Sequence, residues 1–160
     1  MNLKSGFGVV LLLCGAWLPS AHSGEPGDWH LVVHVRSWHA SQPEGAPWNE
    51  ANWGLGVRRD LSADWSVQAG AFRNSLKKHS AYAVADWAPW RHGAWSLGGS
   101  AGLIAGGYEE AYKPAVGVFG RVQLGDVGAT LRLFPKPPPN PRVDLHRTAL
   151  ASLEFTWQWR

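Results

Sequence analysis

The chain has 160 residues, enough for one domain, with 45% hydrophobic residues, 17% charged residues and a formal charge of +3. That composition excludes a disordered chain, and a basic excess so small and scattered excludes a nucleic-acid footprint. A single cysteine, Cys14, excludes a disulfide framework and a cysteine-based zinc site, while eleven tryptophans and nineteen glycines are the unusual figures.

Residues 1–23 read as a secretory signal peptide. Lys4 supplies the positive start, Phe7 to Leu18 the apolar stretch, and Ala21-His22-Ser23 a small-x-small cleavage site before Gly24. Leu13 precedes Cys14 where a lipoprotein signal wants a small residue. Cleavage after Ser23 leaves residues 24–160 as a single domain. No run of ~18 apolar residues in it would form a spanning helix.

The dominant period beyond that point is two, the period of strands. Trp29, Leu31, Val33 and Val35 alternate with His30, Val32, His34 and Arg36. Trp65, Val67, Ala69 and Ala71 alternate with Ser66, Gln68, Gly70 and Phe72. Leu153, Phe155, Trp157 and Trp159 alternate with Glu154, Thr156, Gln158 and Arg160. Strands are predicted over 29–38, 53–59, 65–73, 80–88, 95–107, 115–124, 127–134 and 147–159. Glycines interrupt every window that would otherwise read as a helix.

Connections after the second, fourth and sixth strands are short: Asp60–Asp64, Pro89–Gly93 and Gly125-Asp126. Those after the first, third, fifth and seventh are mostly longer: His39–Asn52, Asn74–His79, Tyr108–Pro114 and Pro135–His146. Pro135 to Pro141 reads as a stiff outer loop, since prolines cannot pair inside a sheet. Alternating short turns and long loops are expected of an outer-membrane barrel. Closure satisfies every backbone group in lipid and removes the sheet edges. Tryptophans near strand ends fit an interfacial girdle. The fold class is therefore all-β: an eight-stranded antiparallel up-and-down barrel of outer-membrane type. The location it implies is the outer membrane of a Gram-negative bacterium. A soluble periplasmic barrel is the competing reading, with Leu153, Phe155, Trp157 and Trp159 turned into an apolar core.

This topology gathers polar residues at one rim. His39 follows the first strand and Asn74-Ser75 the third, with Trp48, Asn49, Glu50, Asn52, His79 and Ser80 beside them. An imidazole and a hydroxyl brought together can serve acyl transfer, given donors for the oxyanion. A turn role competes for Asn74-Ser75, because Asn tolerates left-handed backbone and Ser bonds its local backbone. His30, His34 and Arg36 share a strand face, and a metal would need a further ligand such as Glu154; polar packing in the lumen is the stronger reading, and no metal is assigned. Gly98 to Gly102 with Gly106-Gly107 lacks the Lys-Ser/Thr and helix start of a phosphate loop.

Ser37-Trp38-His39-Ala40, Pro47-Trp48, Gly54-Leu55-Gly56, Ala71-Phe72-Arg73-Asn74-Ser75 and Asp86-Trp87-Ala88-Pro89 together resemble the PagP-type lipid A palmitoyltransferases. The resemblance covers roughly residues 29–90 and continues as strand pattern. It implies an eight-stranded outer-membrane barrel that moves an acyl chain from phospholipid to lipid A without a cofactor. His39 and Asn74-Ser75 stand at the positions of the family's essential His and Asp-Ser pair.

Three departures accompany it. Asn74 replaces an aspartate, and an amide cannot carry the charge that steadies an imidazolium. Only Gly24–Asp28 precedes the first strand, where the family has an amphipathic helix. Asp86 falls where the family has a small residue deep in its acyl pocket, and a carboxylate there shortens or spoils an apolar tunnel. Trp48-Asn49-Glu50-Ala51-Asn52-Trp53-Gly54-Leu55-Gly56 with Asn74-Ser75 is also similar, and more closely, to an uncharacterised group of small barrel-like proteins of proteobacteria and their phages.

Two readings follow. In one, His39 is the general base of an acyltransferase, Ser75 and Asn74 position the ester or the imidazole, and Lys77 and Lys78 hold lipid phosphates. In the other, the protein is a non-catalytic small barrel with a structural or lipid-binding role and a filled lumen. Either way the expected partners are membrane lipids (phospholipid and lipid A), with no nucleic acid, no metal and no cofactor, around a monomer.

Overall fold

A computed structural model describes residues 25–159 except 44, 46, 109, 110 and 137–147. Residues 1–23, read above as a signal peptide, lie outside the described residues, as do Gly24, Arg160 and most of the proline-rich loop. Eight strands follow in chain order: β1 (Trp29–His39), β2 (Gly54–Asp60), β3 (Trp65–Arg73), β4 (His79–His92), β5 (Trp95–Ala105), β6 (Tyr112–Leu124), β7 (Val127–Phe134) and β8 (Leu150–Trp159). Each pairs antiparallel with its neighbour in sequence, and β1 pairs with β8 to close the barrel. The all-β up-and-down architecture expected from the period-two pattern is the one observed.

The side chains divide as a barrel with a polar interior requires. On β8, Phe155, Trp157 and Trp159 are exposed while Glu154, Thr156 and Gln158 are buried. Leu31, Val57, Val67, Leu97, Val116 and Leu131 continue the exposed apolar surface around the wall. The interior instead holds His30, Arg58, Gln68, Asp86, Arg121, Arg132 and Glu154. The rows that a soluble barrel would turn inward therefore face out. The tryptophans are lopsided: Trp29, Trp65, Trp87, Trp90, Trp95, Trp157 and Trp159 all sit toward the end with the short turns. Trp29 stacks on Trp159, and Trp65 on Trp87, each pair with ring centres 6.3 Å apart.

Short and long connections alternate as expected, and two of the short ones turn on glycine. Gly93 and Gly125 have φ of 56° and 60°, left-handed backbone that glycine adopts without a Cβ penalty.

Three features differ from the pattern read in the sequence. β4 runs on to His92, through Pro89, because a register shift between Trp87 and Trp90 takes the proline out of the ladder with β5. β6 starts at Tyr112, before Pro114, because its ladder with β7 begins only at Val118–Leu133. Among the described residues Pro114 thus pairs on one side alone, with Leu103, and its missing N–H costs no inter-strand bond on the β7 side. On β1 a shift between His34 and Arg36 reverses the alternation. Arg36 therefore leaves the face it was expected to share with His30 and His34, turning outward over the Trp38 ring at 5.6 Å. Ser37 and His39 turn inward in its place.

The middle of the lumen is filled by a lattice of charges. Arg132 on β7 donates from Nε to Glu154 of β8 at 2.5 Å, and from Nη1 and Nη2 to Asp86 of β4 at 2.6 and 2.9 Å. Arg121 of β6 reaches Asp86 at 2.7 Å, and Ser100 of β5 donates to it at 2.7 Å. Gln68 of β3 donates to Glu154 at 2.9 Å and to the Tyr82 hydroxyl at 3.0 Å. Toward the short-turn end, His30 Nε2 lies 3.0 Å from Asp60 and 2.9 Å from Arg58 Nη2, and Asp60 pairs with Arg58 at 3.1 Å. Asp86 is thus not an isolated buried charge but the shared acceptor of two arginines, which is the condition under which burial is tolerable.

Candidate functional site at the long-loop rim

The bulge on β1 decides the site. By returning the strand to its register one residue late, it points His39 inward at the last rung of β1, opposite Leu150. Across the rim, the β3–β4 connection brings Ser75 to it: the Ser75 hydroxyl and His39 Nε2 lie 2.8 Å apart. The imidazole is half-buried and stacks on Trp48 with ring centres 5.4 Å apart and planes 26° apart. His39 Nδ1 is buried and has no hydrogen-bond partner among the described residues. For Nε2 to accept the Ser75 proton, the ring proton must sit on Nδ1, and no carboxylate receives it there. Among the described residues the pair is a dyad, with a base and a hydroxyl but no acid bonded to Nδ1.

Asn74 goes elsewhere. Its side chain is fully buried and turned into its own hairpin. Oδ1 accepts from the Leu76 and Lys78 backbone at 2.9 and 3.0 Å, and Nδ2 donates to Ser80 Oγ at 2.9 Å. Ser80 Oγ in turn donates to the Gly106 carbonyl at 2.6 Å. A Cβ on Gly107 would run into Asn74 Nδ2. Asn74 therefore shapes the turn that carries Ser75 and ties it to the β5–β6 loop. The left-handed residue of that turn is Lys77, with φ of 63°, rather than the asparagine. Asn74→Asp removes the donor to Ser80 in a site with no solvent. It is expected to cost about 1–3 kcal/mol in urea unfolding, with no gain in any activity, because the carboxylate would still not face His39.

Lys77 and Lys78 are both exposed on the hairpin tip beside Ser75. Glu50 sits between the β1 end and its own loop, accepting from Arg36 at 3.3 Å and from Gln42 at 3.1 Å. His30 and Glu154 are engaged by Asp60 and Arg132, and His34 packs edge-on to Tyr82 at 4.8 Å.

Next to His39 an apolar cleft of about 690 Å³ lies at the barrel wall. Trp38, Val116, Leu133, Phe134 and Leu150 line it together with His39. It lies where β6 extends beyond β7, so that Tyr112–Gly117 pair with β5 alone among the described residues. The sequence showed neither this cleft nor the arginines that fill the lumen. Arg121 and Arg132 do alternate with apolar neighbours, a signal that puts them on one face of their strands but names neither that face nor a partner.

No protein-family model matches the chain, and no curated protein does. Four solved chains are similar in structure. One is the Yersinia pestis outer membrane protein Ail in a phospholipid bilayer nanodisc. It is 12% identical, with 83% of this chain and 99% of that chain covered and a TM-score of 0.43.

Proposed function

We propose that this protein is an outer-membrane barrel with an acyl-transfer site at its outer rim, where His39 acts as general base. The observation that carries the reading is the 2.8 Å contact between His39 Nε2 and Ser75 Oγ beside an apolar cleft. A membrane setting is supported by the exposed apolar rows over a polar lumen, since so extensive an apolar surface is not left to water. In that setting the rim with the long loops faces the outer leaflet.

The donor is a phospholipid and the acceptor a hydroxyl of lipid A. An acyl chain lies in the cleft against Val116, Leu133 and Phe134, and its ester comes to rest near Ser75. His39 Nε2 takes the proton of the acceptor hydroxyl as its oxygen bonds to the acyl carbon. The same proton passes to the departing glycerol oxygen as the old ester bond breaks. Ser75 holds the imidazole before the acceptor arrives, and Lys77 and Lys78 meet lipid phosphates at the headgroup level.

A second reading, the non-catalytic barrel, is favoured by two specific observations. Arg132, Asp86 and Glu154 occupy the lumen at mid-depth, so no apolar tunnel runs down the axis. Among the described residues, His39 Nδ1 also has no hydrogen-bonded carboxylate. The two readings separate in one experiment. The chain is expressed in a Gram-negative strain lacking its own lipid A acyltransferase, and lipid A is weighed by mass spectrometry. An added acyl mass is expected. Unchanged lipid A, with the folded barrel recovered from the outer membrane, would sink the enzymatic reading.

A further inference from the structure

His39 and Ser75 stand on opposite sides of a gap in the wall. β2 lies between β1 and β3 in the barrel, yet it starts only at Gly54 and pairs with β1 no higher than His34. At the height of the pair, no ladder joins the two strands. The loop ahead of β2 runs across instead. The Asn49 backbone N–H donates to the Ser75 carbonyl at 2.9 Å, and Asn49 Nδ2 donates to the Asn74 carbonyl at 3.1 Å. Three residues on, Asn52 Nδ2 donates to the Arg73 carbonyl at 2.8 Å, while Asn52 Oδ1 accepts from Ser37 of β1. The Glu50 carbonyl accepts from the Ser37 backbone at 2.9 Å.

The same loop fixes the imidazole. The Trp48 indole lies nearly parallel to the His39 ring. Trp48 is itself pinned: Nε1 donates to the Ser41 carbonyl at 3.1 Å, and its backbone N–H donates to Gln42 Oε1 at 2.8 Å. In a triad the second ring nitrogen of the base is held by an acid, which sets the ring plane. Here Nδ1 has no such partner among the described residues, so the stacked indole is what sets that plane.

We infer that Trp48 and Asn49 are the positioning residues of the site, Trp48 holding the plane of the His39 imidazole and Asn49 holding the peptide that carries Ser75. Two adjacent residues thereby set a contact between groups on separate strands. The catalytic consequence rests on the acyl-transfer reading; the geometric claim does not.

The test is made on the folded protein in phospholipid nanodiscs with ¹⁵N- and ¹³C-labelled histidine. In Asn49→Ala, which removes the Nδ2 bond and keeps the backbone one, the Nε2 resonance of His39 is expected to move toward its position in Ser75→Ala, reporting a weakened hydrogen bond. In Trp48→Leu the carbon-bound ring protons of His39 lose their upfield ring-current shift, and Trp48→Phe restores most of it. If transfer is observed, Asn49→Ala lowers kcat by about 100-fold, with KM little changed, as a misplacement of about 1 Å does. Wild-type His39 resonances in both Asn49→Ala and Trp48→Leu would overturn the inference. Should Asn49→Ala fail to fold, Asn49→Asp removes the same donor at constant shape. The Trp48→Leu and Trp48→Phe comparison decides independently of either. A wild-type protein that transfers no acyl chain sinks the enzymatic reading and leaves the resonance test intact.

Discussion

His39→Ala is expected to lower acyl transfer by ~10²–10⁴-fold, the usual worth of a positioned general base, while the barrel still folds. The physical case for a large effect is that Nε2 contacts the Ser75 hydroxyl and that His39 is among the residues lining the apolar cleft. The case for intact folding is that His39 occupies the last rung of β1 and contributes only its backbone to the ladder with β8. Ser75→Ala should cost less, about 10-fold to 100-fold, because Ser75 orients the base without taking the proton. Lipid A acylation read by mass spectrometry gives the rates. Retarded or advanced gel mobility of the unheated protein gives the folded fraction. Transfer that persists in folded His39→Ala would place the base elsewhere. Equal losses in the two variants would make Ser75 a direct participant, a nucleophile in a two-step path through an acyl-enzyme.

Much of the barrel was legible because period two and loop length report on closure directly. β3 over Trp65–Arg73 and β7 over Val127–Phe134 coincide with the alternation in the sequence. Ser66, Gln68, Thr130 and Arg132 face in, the side that alternation leaves open and the barrel decides. The errors cluster at prolines and bulges. Pro89 and Pro114 read as loop residues, yet each sits where a ladder bond is already missing. The bulge before Arg36 cannot be seen in the sequence, since Val35 simply continues the apolar row of Leu31 and Val33. That single extra residue sends Arg36 to the outside and brings His39 to the inside.

The candidate pair was legible for a topological reason. The ends of β1 and β3 had to share a rim, so His39 and Ser75 were candidates to meet although 36 residues apart. What topology does not give is side-chain direction. Asn74 and Ser75 are neighbours in sequence, but one turns into the hairpin and the other toward His39. The lumen lattice was illegible for a related reason. Arg132 pairs with residues 22 and 46 positions away, and only the barrel register sets those distances.

Arg132 is the hub of that lattice, and Arg132→Met is expected to destabilise the barrel by ~3–5 kcal/mol, the cost of leaving a buried charge without its partner. Asp86 would keep Arg121 and Ser100, but of the bonds it receives from described residues Glu154 would keep only that of Gln68. Removing the orphan as well, in Arg132→Met/Glu154→Leu, should recover a large share of the loss. The remaining charges, Asp86 and Arg121, still pair, and an apolar replacement of a buried ion pair is often close to neutral. Urea unfolding of the refolded barrel in lipid, followed by tryptophan fluorescence, gives the four corners of the cycle. A coupling of about 1–3 kcal/mol between the two positions is expected. Additive losses would mean that Glu154 is solvated within the lumen and that water, rather than Arg132, carries its charge. The outcome also bears on the site above. A lattice that tolerates no unpaired charge leaves no room for an acyl chain on the axis, and confines it to the cleft in the wall beside His39.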